Sequence, residues 1–316
     1  MNTIPVFFTI DNNYAPYLAV ALNSAIKNSS PERSYKAYVL HEKVSEENQN
    51  KIKALEKENF KIEFIPMTKG FDTITDRMSN RLRCDYFTLT IYFRLFIPEM
   101  FPDLDRAIYI DSDVIVTDDL GKLFDTDLGD CLIGACSDLS VAKVPEFVYY
   151  MEEGFGVKKE EYINSGVLLM NLALLREKNF TNHFLSLLST YHFDCIAPDQ
   201  DYLNAICRGK IKYLDSRWDV MPEENTPERE DTGIIHYNLF SKPWCYDNVQ
   251  YDAPFWHYAS DSGFMEEIKE YKEGYTDENK EADKKCIELL LKRGSEIPKN
   301  DITFKKIIVS GVKVIL

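Results

Sequence analysis

Short apolar runs alternate with segments of helical periodicity at the start of the chain. Residues 5–10, 37–40 and 62–65 are rich in β-branched and aromatic side chains and predict buried strands. Between the first two runs, apolar residues from Leu18 onward recur at helical spacing, and Ser45 followed by two glutamates predicts the start of a second helix. This order predicts an α/β fold in which parallel strands are joined by helical crossovers.

The alternation continues less regularly through the middle of the chain. Residues 86–97 predict a helix that ends at Pro98, and residues 107–110 predict an apolar strand. Later strands are predicted at residues 132–136, 166–171, 211–214 and 233–236, and later helices at residues 180–188 and 200–207.

The composition shifts after about residue 250. Residues 266–294 are highly charged and have a helical pattern with Ile287 on the apolar face. Residues 304–316 mix lysines with apolar side chains, which favours a packed terminal strand or helix and leaves open contact with a membrane surface. We therefore predict one α/β domain over residues 1–250 and a mainly helical extension over residues 251–316.

The charge balance limits the partners of the chain. Its 316 residues include 37 Lys and Arg against 52 Asp and Glu, a formal net charge of −15. Such a charge repels nucleic acids, which we exclude as partners, and a phosphorylated ligand would need local cations or a metal ion.

Two further observations predict a cytoplasmic protein and leave open a peripheral contact with the inner face of the membrane. No apolar run approaches the ~20 residues that span a bilayer, and no signal-peptide pattern opens the sequence. The 7 cysteines form no C-x-x-C pair, so reduced, buried thiols are favoured over a zinc site.

Several nucleotide-binding and catalytic motifs are absent from the sequence. No G-x-G-x-x-G follows the first strand, and neither a phosphate-binding Walker loop nor a G-x-S-x-G turn occurs. Their absence argues against a dinucleotide-dependent dehydrogenase, a P-loop NTPase and an α/β-hydrolase.

One aspartate pair stands out by its position. Pairs of the form Asp-x-Asp begin at residues 103, 111, 125 and 199, and an acidic chain produces some of them by chance. Asp111 and Asp113, however, directly follow an apolar strand, where a ligand-binding crevice is expected. Because isolated carboxylates are costly to bury without a cation, this pair predicts a Mg²⁺ or Mn²⁺ site.

Two enzyme classes place such a pair after a strand. In haloacid-dehalogenase-like phosphatases the first aspartate, here Asp111, would be a nucleophile, but that class usually carries the pair on its first strand. In metal-dependent nucleotide-sugar glycosyltransferases both aspartates serve the metal and the donor. The pair alone leaves both open.

Five segments, in order over residues 4–244, resemble glycosyltransferase family 8, which includes glycogenin and bacterial lipooligosaccharide galactosyl- and glucosyltransferases. They are residues 11–14, residues 92–116 with the aspartate pair, residues 162–169, residues 199–204, and His236-Tyr237 followed by Lys242-Pro243-Trp244. The resemblance implies a GT-A fold with a mostly parallel central sheet flanked by helices. It also implies a metal ion, usually Mn²⁺, and transfer of a hexose with retention from UDP-glucose or UDP-galactose to a glycan or lipid-linked acceptor, as in cell-surface glycan synthesis.

The resemblance also implies roles for individual residues. The metal ligands would be Asp111, Asp113 and His236. The donor nucleotide and its sugar would be bound by Thr9, Asp11, Asn13, Tyr14, Arg94, Asp111, Ser112, Asn164 and Lys242, with Tyr14 on the uracil. The reacting face would hold Gln200, Asp199 and Asp138.

Simpler interpretations stand beside these roles. Tyr14 and His236 suit structural positions, Asn164 suits a turn, and Asp199 suits a helix cap. Family members commonly have glycine three residues after the metal-binding histidine, where this chain has Leu239, whose side chain disfavours positive φ. A non-catalytic sugar-nucleotide binder therefore remains an alternative.

Overall fold

Strands of two sheets form the centre of the molecule, and the computed structural model describes residues 3–67, 89–223 and 225–316. The strands are β1 (Ile4–Ile10), β2 (Tyr35–His41), β3 (Phe60–Pro66), β4 (Arg106–Ile110), β5 (Val114–Val116), β6 (Ile133–Ser137), β7 (Ile163–Asn171), β8 (Ile211–Tyr213) and β9 (Ile234–His236). The main sheet has the order β3-β2-β1-β4-β7-β6-β8, and β5 pairs with β9. Strands β1 to β4 run parallel, whereas β7 is antiparallel to β4 and β6. The predicted mostly parallel sheet is confirmed.

Helices cover both faces of the main sheet. They are α1 (Ala15–Lys27), α2 (Glu46–Lys53), α3 (Ile97–Met100), α4 (Leu120–Phe124), α5 (Pro145–Tyr149), α6 (Leu172–Glu177), α7 (Phe180–Tyr191), α8 (Pro198–Ile206), α9 (Asp252–Ala259), α10 (Met265–Glu273), α11 (Asp277–Glu296) and α12 (Phe304–Val309). 3₁₀ helices lie at Asn12–Tyr14, Leu89–Phe96, Ser216–Trp218 and Ile297–Lys299, and a π-helix lies at Tyr150–Phe155.

Burial of the sheet on both faces explains the continuous apolar strands. Along β1, Val6 and Phe8 pack in one core cluster with Leu22 of α1. Phe7, between them, belongs to the opposite cluster with Phe184 of α7. Because successive side chains of a strand point to opposite faces, a strand buried on both sides needs apolar residues at every position.

The predicted start of α2 is confirmed. The prediction of a helix over residues 86–97 is wrong about the type of helix and about where it ends. Ser45 Oγ accepts a hydrogen bond from Asn48 N at 3.2 Å, which caps α2. Leu89–Phe96 is a 3₁₀ helix, and Pro98 lies in the first turn of α3. Proline is tolerated there because the first-turn N–H groups have no helical partner. Residues 86–88 of that prediction lie outside the described residues.

The C-terminal segment packs onto the core. Phe304 of α12 is buried, with its ring centroid 3.9 Å from that of Phe193 and 4.8 Å from that of Phe155. Val314 is buried as well. Of the two interpretations of this segment, the packed helix is therefore the one observed. Among the described helices, none combines the length and apolarity that crossing a membrane requires.

The charged region before it forms α10 and α11, but the predicted apolar face of α11 is partly wrong. Ile287 is 41% exposed, and the buried side of the helix runs through Leu290 and Gly294. The cysteines are confirmed as free thiols for the six that lie in the described residues.

Candidate functional site

The Asp111–Asp113 pair lies directly after β4, beside the first residues of β7. Asp111 N donates to Gly166 O at 2.8 Å, which continues the antiparallel pairing of β4 with β7. Asn164 and Ser165, earlier in β7, are thereby brought to the same edge of the sheet. Asn164 is a strand residue, so the interpretation of it as a turn residue is wrong.

A second antiparallel pair brings His236 to the aspartates. Val114 of β5 lies opposite His236 of β9, and Tyr237 N donates to Asp113 O at 2.9 Å. Potential ligand atoms of Asp111, Asp113 and His236 all lie within 4.8 Å of one another. The three residues that the sequence proposed as metal ligands thus converge.

A buried carboxylate orients the His236 ring. His236 Nδ1 is 2.9 Å from Asp219 Oδ1, and His236 Nε2 is 3.4 Å from Asp113 Oδ1. Histidines that bind metals usually donate their second ring N–H to such a carboxylate, which leaves the other nitrogen to the ion. Asp219 was missed by the sequence analysis, and its only local signal is an acid between the apolar residues Trp218 and Val220.

Two cations neutralise the aspartates, the buried Arg94 and the partly buried Lys242. Arg94 Nη2 lies 2.9 Å from Asp111 Oδ1, and Arg94 Nε lies 3.1 Å from Asp199 Oδ2. Lys242 Nζ lies 2.5 Å from Asp113 Oδ2 and donates to Tyr237 O at 2.7 Å. The site therefore combines ligands for a cation with cations for an anionic ligand.

The pKa values of the site follow from burial and from these pairs. Burial alone would raise the pKa of the Asp113 carboxyl, but Lys242 and His236 hold it well below its usual range. Burial alone would lower the pKa of His236, but Asp219 and Asp113 raise it to about 10. Burial raises the pKa of Asp219. The charges on these groups are thus interdependent.

The donor set suits a hard divalent cation. Two carboxylates and one imidazole are ligands that Mn²⁺ accepts, and Mg²⁺ shares the preference for oxygen. Ser112 Oγ, between the aspartates, is buried without a hydrogen-bond partner among the described residues. Since buried hydroxyls normally have a partner, this atom is available to a ligand or to water held by one. Asp111, Asp113 and His236 could therefore hold a metal ion.

The predicted reacting face forms one buried hydrogen-bond network. Gln200 Nε2 and Asn164 Nδ2 both donate to Asp138 Oδ2, at 3.0 and 3.1 Å. Ser165 joins the network, because its N donates to Gln200 Oε1 at 3.0 Å and its Oγ to Asp199 Oδ2 at 3.0 Å. The cap interpretation of Asp199 is wrong, since α8 has Ala197 as its N-cap and the Asp199 carboxylate binds Ser165 and Arg94.

The loop after β1 supplies the predicted nucleotide side. Asp11 Oδ1 accepts from Asn13 N at 2.8 Å and from Tyr14 N at 3.1 Å, which fixes the turn at Asn12–Tyr14. Tyr14 is 38% exposed and contacts Tyr17 edge-to-face, so it packs on one side and is open on the other.

Thr9 acts on the aspartates through a tyrosine. Thr9 Oγ1 lies 2.8 Å from the hydroxyl of Tyr109, which in turn donates to Asp111 Oδ1 at 2.7 Å. This chain of contacts links the end of β1 to the aspartate pair after β4.

One cavity of about 320 Å³ joins these residues. Of the predicted site residues it is lined by Tyr14, Arg94, Asp111, Asp113, Asn164, Asp199, Gln200, His236 and Lys242. Asp138, Asp11, Asn13 and Ser112 do not line the cavity but contact or adjoin residues that do. Thr9 does not line it either and is linked to the lining residue Asp111 through Tyr109. Lining residues that the sequence analysis missed include Ser165, Gly166, Asn238, Phe240, Asp283 and Cys286.

The pairs that begin at residues 103 and 125 do not line this cavity, and of the pair that begins at residue 199 only Asp199 does. The Asp105 side chain is 91% exposed, and Asp125 pairs with Arg33. Asp201 is buried and accepts from the hydroxyls of Tyr150 and Tyr162 at 2.7 and 2.5 Å. Their positions match solvated loop acids for Asp105 and Asp125 and a structural role for Asp201.

Comparisons with known sequences point in one direction. The model of the family described as glycosyl transferase family 8 matches residues 5–248. A putative glycosyltransferase of Haemophilus influenzae is 28% identical over 257 residues, which cover 81% of this chain and 73% of the relative. General stress protein A of Bacillus subtilis is 26% identical, over 79% of this chain and 91% of the relative.

Solved structures agree with the sequence comparisons. The galactosyltransferase LgtC, in complex with donor and acceptor sugar analogues, is 28% identical and superposes with a TM-score of 0.67 over 81% of this chain and 95% of its own. The bifunctional glycosyltransferase WbbM is 23% identical with a TM-score of 0.71 and shows the shared fold. The match covers 85% of this chain but only 52% of WbbM. The chain thus belongs to glycosyltransferase family 8, and it is a glycosyltransferase with the GT-A fold.

Proposed function

We propose that this enzyme transfers a hexose, glucose or galactose, from a UDP-sugar to a saccharide or lipid-linked acceptor, with retention of configuration and with Mn²⁺ as the preferred ion. One observation carries the proposal: Asp111, Asp113 and His236 converge in the cavity that also holds Arg94 and Lys242. The galactosyltransferase LgtC, solved with donor and acceptor sugar analogues, supports this class of substrates. Family membership selects glycosyl transfer over the phosphatase chemistry that the aspartate pair alone left open.

The anionic part of the donor belongs beside the metal ligands. A divalent ion held by Asp111, Asp113 and His236 would supply Lewis-acid stabilisation of the departing diphosphate. Arg94 and Lys242 add positive charge that is already in position, which is worth more in a buried site than in water. Asp11 and Asn13 bind the uridine on the open side of the Asn12–Tyr14 turn, where Tyr14 offers its exposed ring for stacking.

The reacting sugar belongs beside Gln200, Asp199 and Asn164. Gln200 has an amide where double displacement would require a nucleophile, and Asp138 already accepts from two amides. We therefore favour attack by the acceptor hydroxyl on the same face that the phosphate leaves. The bond between the anomeric carbon and the diphosphate oxygen breaks, and the acceptor oxygen forms the new glycosidic bond. The proton of the acceptor hydroxyl passes to the departing phosphate oxygen. One solved LgtC structure is of an active-site mutant with glutamine replaced by glutamate, which agrees with an important glutamine in such a site.

The proposal is tested by donor turnover with and without an intact metal site. We expect Mn²⁺-dependent release of UDP from UDP-glucose or UDP-galactose, with N-acetylated donors as a comparison. Asp113→Asn should lower kcat/KM roughly 100-fold or more, because it removes one metal ligand. Asp105→Asn, which changes a 91% exposed side chain, is the matched control and should leave the rate unchanged.

Two results would contradict the proposal. Tight UDP binding without turnover of any donor would indicate a non-catalytic sugar-nucleotide binder. A glycosyl adduct trapped on Asp138, Asp199 or Asp201 would replace same-face attack by double displacement.

A further inference from the structure

Helix α11 contributes to the wall of the substrate cavity. Asp283 and Cys286 both line the cavity, although they lie beyond the part of the chain that the family model matches, residues 5–248. The two residues are three positions apart, and Leu290 follows on the same side of the helix as a buried residue. The opposite side carries the exposed Glu288.

The second half of α11 is fixed to the core. Arg293 Nη2 donates to Asp194 Oδ1 and to Cys195 O, both at 2.6 Å. Gly294 packs so closely on α5 that an added Cβ would lie 3.1 Å from Glu146 O. Because this end is anchored, the first half of α11 is held beside the cavity.

Within the described residues, one oxygen of the Asp283 carboxylate has hydrogen-bond partners and the other has none. The hydroxyls of Tyr246 and Tyr275 both donate to Asp283 Oδ2, each at 2.6 Å. Asp283 Oδ1 has no hydrogen-bond partner within residues 3–67, 89–223 and 225–316, which are the ones described. An ionised carboxylate only accepts hydrogen bonds, and its negative charge disfavours phosphate as a partner. The ligand chemistry that suits this oxygen is a hydroxyl group.

We propose that α11 extends the substrate site beyond residues 5–248, the part that the family model matches, and that Asp283 Oδ1 binds a hydroxyl group of the bound substrate. This inference rests on the proposed function, since it assumes a sugar nucleotide in the cavity. The hydroxyl belongs either to the ribose of the donor or to the acceptor saccharide, and the two sources are separated by experiment.

The first test measures affinity. Titration of UDP in the presence of Mn²⁺ is compared for the wild type, Asp283→Asn and Glu288→Gln, a control on the exposed side of α11. If the ribose is bound, Asp283→Asn should weaken UDP about tenfold, while 2′,3′-dideoxy-UDP should bind both proteins equally.

If the acceptor is bound instead, the affinity for UDP stays constant. The KM for methyl glucoside or methyl galactoside as acceptor should then rise about tenfold, with donor hydrolysis unchanged. Unchanged values in both measurements would count against Asp283 as a substrate-binding residue.

The second test needs no variant. UDP with Mn²⁺ should slow alkylation of Cys286 several-fold, as quantified by mass spectrometry. Cys131 is the internal control, because it is also half-buried but does not line the cavity. Equal alkylation of Cys286 with and without UDP, together with neutral Asp283→Asn, would overturn the inference and leave UDP binding intact. If UDP with Mn²⁺ does not bind at all, the proposed function fails as well.

Discussion

Gly166 controls how closely the metal-ligand residues approach one another. A Cβ at this position would lie 2.3 Å from His236 Cε1 and 2.9 Å from Asp111 Oδ2. Both distances are shorter than any stable non-bonded contact of a methyl group. The glycine is therefore required by close packing in an extended strand, and its conformational freedom is not used there.

Gly166→Ala should displace His236 or Asp111 and disrupt the metal site. We expect the affinity for Mn²⁺, measured by calorimetry, to fall about tenfold or more, since even changes behind a metal ligand have such effects. Gly154→Ala is the control, because its Cβ would meet Tyr150 Cδ2 at an ordinary 3.7 Å. Wild-type affinity in Gly166→Ala would argue against these residues as the metal site.

Leu239 adopts a backbone conformation that residues with a side chain disfavour. Its φ is 62°, in the left-handed region that the sequence analysis considered unfavourable for a side chain. The turn is held by local hydrogen bonds, from Leu239 N to Asn238 Oδ1 and from Asn238 N to His236 O, at 2.8 and 2.9 Å. Such a conformation costs about 1–2 kcal/mol, which the surrounding structure offsets.

Among the elements, α8 carries both Asp199 and Gln200, which we propose for the reacting face, and a buried acid that joins the helix to its neighbours. Asp201 accepts from the hydroxyls of Tyr150 and Tyr162 and from Ala197 N. Burial raises the pKa of Asp201 from its usual 3.8 to about 6, even though these three donors favour the ionised form. The cost of keeping this charge buried is therefore largest above about pH 6.

This pKa predicts how stability depends on pH. Between pH 6 and 3.8 the folded protein binds more protons at Asp201 than the unfolded chain, so this group's contribution to the free energy of unfolding grows as the pH falls. From about pH 7 to about pH 4, the wild type should gain about 2 kcal/mol relative to Asp201→Asn. Urea unfolding at several pH values measures the difference.

Asp105→Asn serves as the control in that series. The Asp105 side chain is 91% exposed, so this substitution replaces an aspartate without removing a buried carboxyl. A constant difference for Asp201→Asn would mean that Asp201 titrates alike in the folded and unfolded states.

At the scale of the whole molecule, the net charge of −15 opposes an anionic substrate. Arg94 and Lys242 reverse the sign only locally, and both already pair with aspartates in the cavity. A bound divalent ion would add the positive charge that a diphosphate needs. On the proposed function, the acidic surface would therefore make nucleotide binding depend on the metal.

Metal removal should consequently affect charged and neutral ligands differently. In EDTA we expect the affinity for UDP to fall about tenfold or more, while the weaker affinity for uridine, which carries no phosphate, stays nearly constant. Calorimetric or fluorescence titration of both ligands, with and without Mn²⁺, measures the two effects. Equal UDP affinity in EDTA would mean that Arg94 and Lys242 alone suffice.

Local periodicity was enough to predict the alternating strands and helices of the first 66 residues, because strand and helix periodicities are local patterns. It also singled out Asp111 and Asp113, because acids directly after an apolar strand are a local signal. His236 and the reacting-face residues were found through the family resemblance rather than through any pattern of their own. All of these residues could be proposed without knowing which strands pair.

Which distant residues meet depends on how the strands pair and how the helices pack. The antiparallel pairing of β5 with β9 places His236 at Asp113, and Asp219 behind it has no motif that could have revealed it. The position of Asp283 beside the cavity likewise depends on the packing of α11 against the core. Strand register and helix docking are set by the summed burial of many side chains far apart in sequence, so no local pattern encodes them.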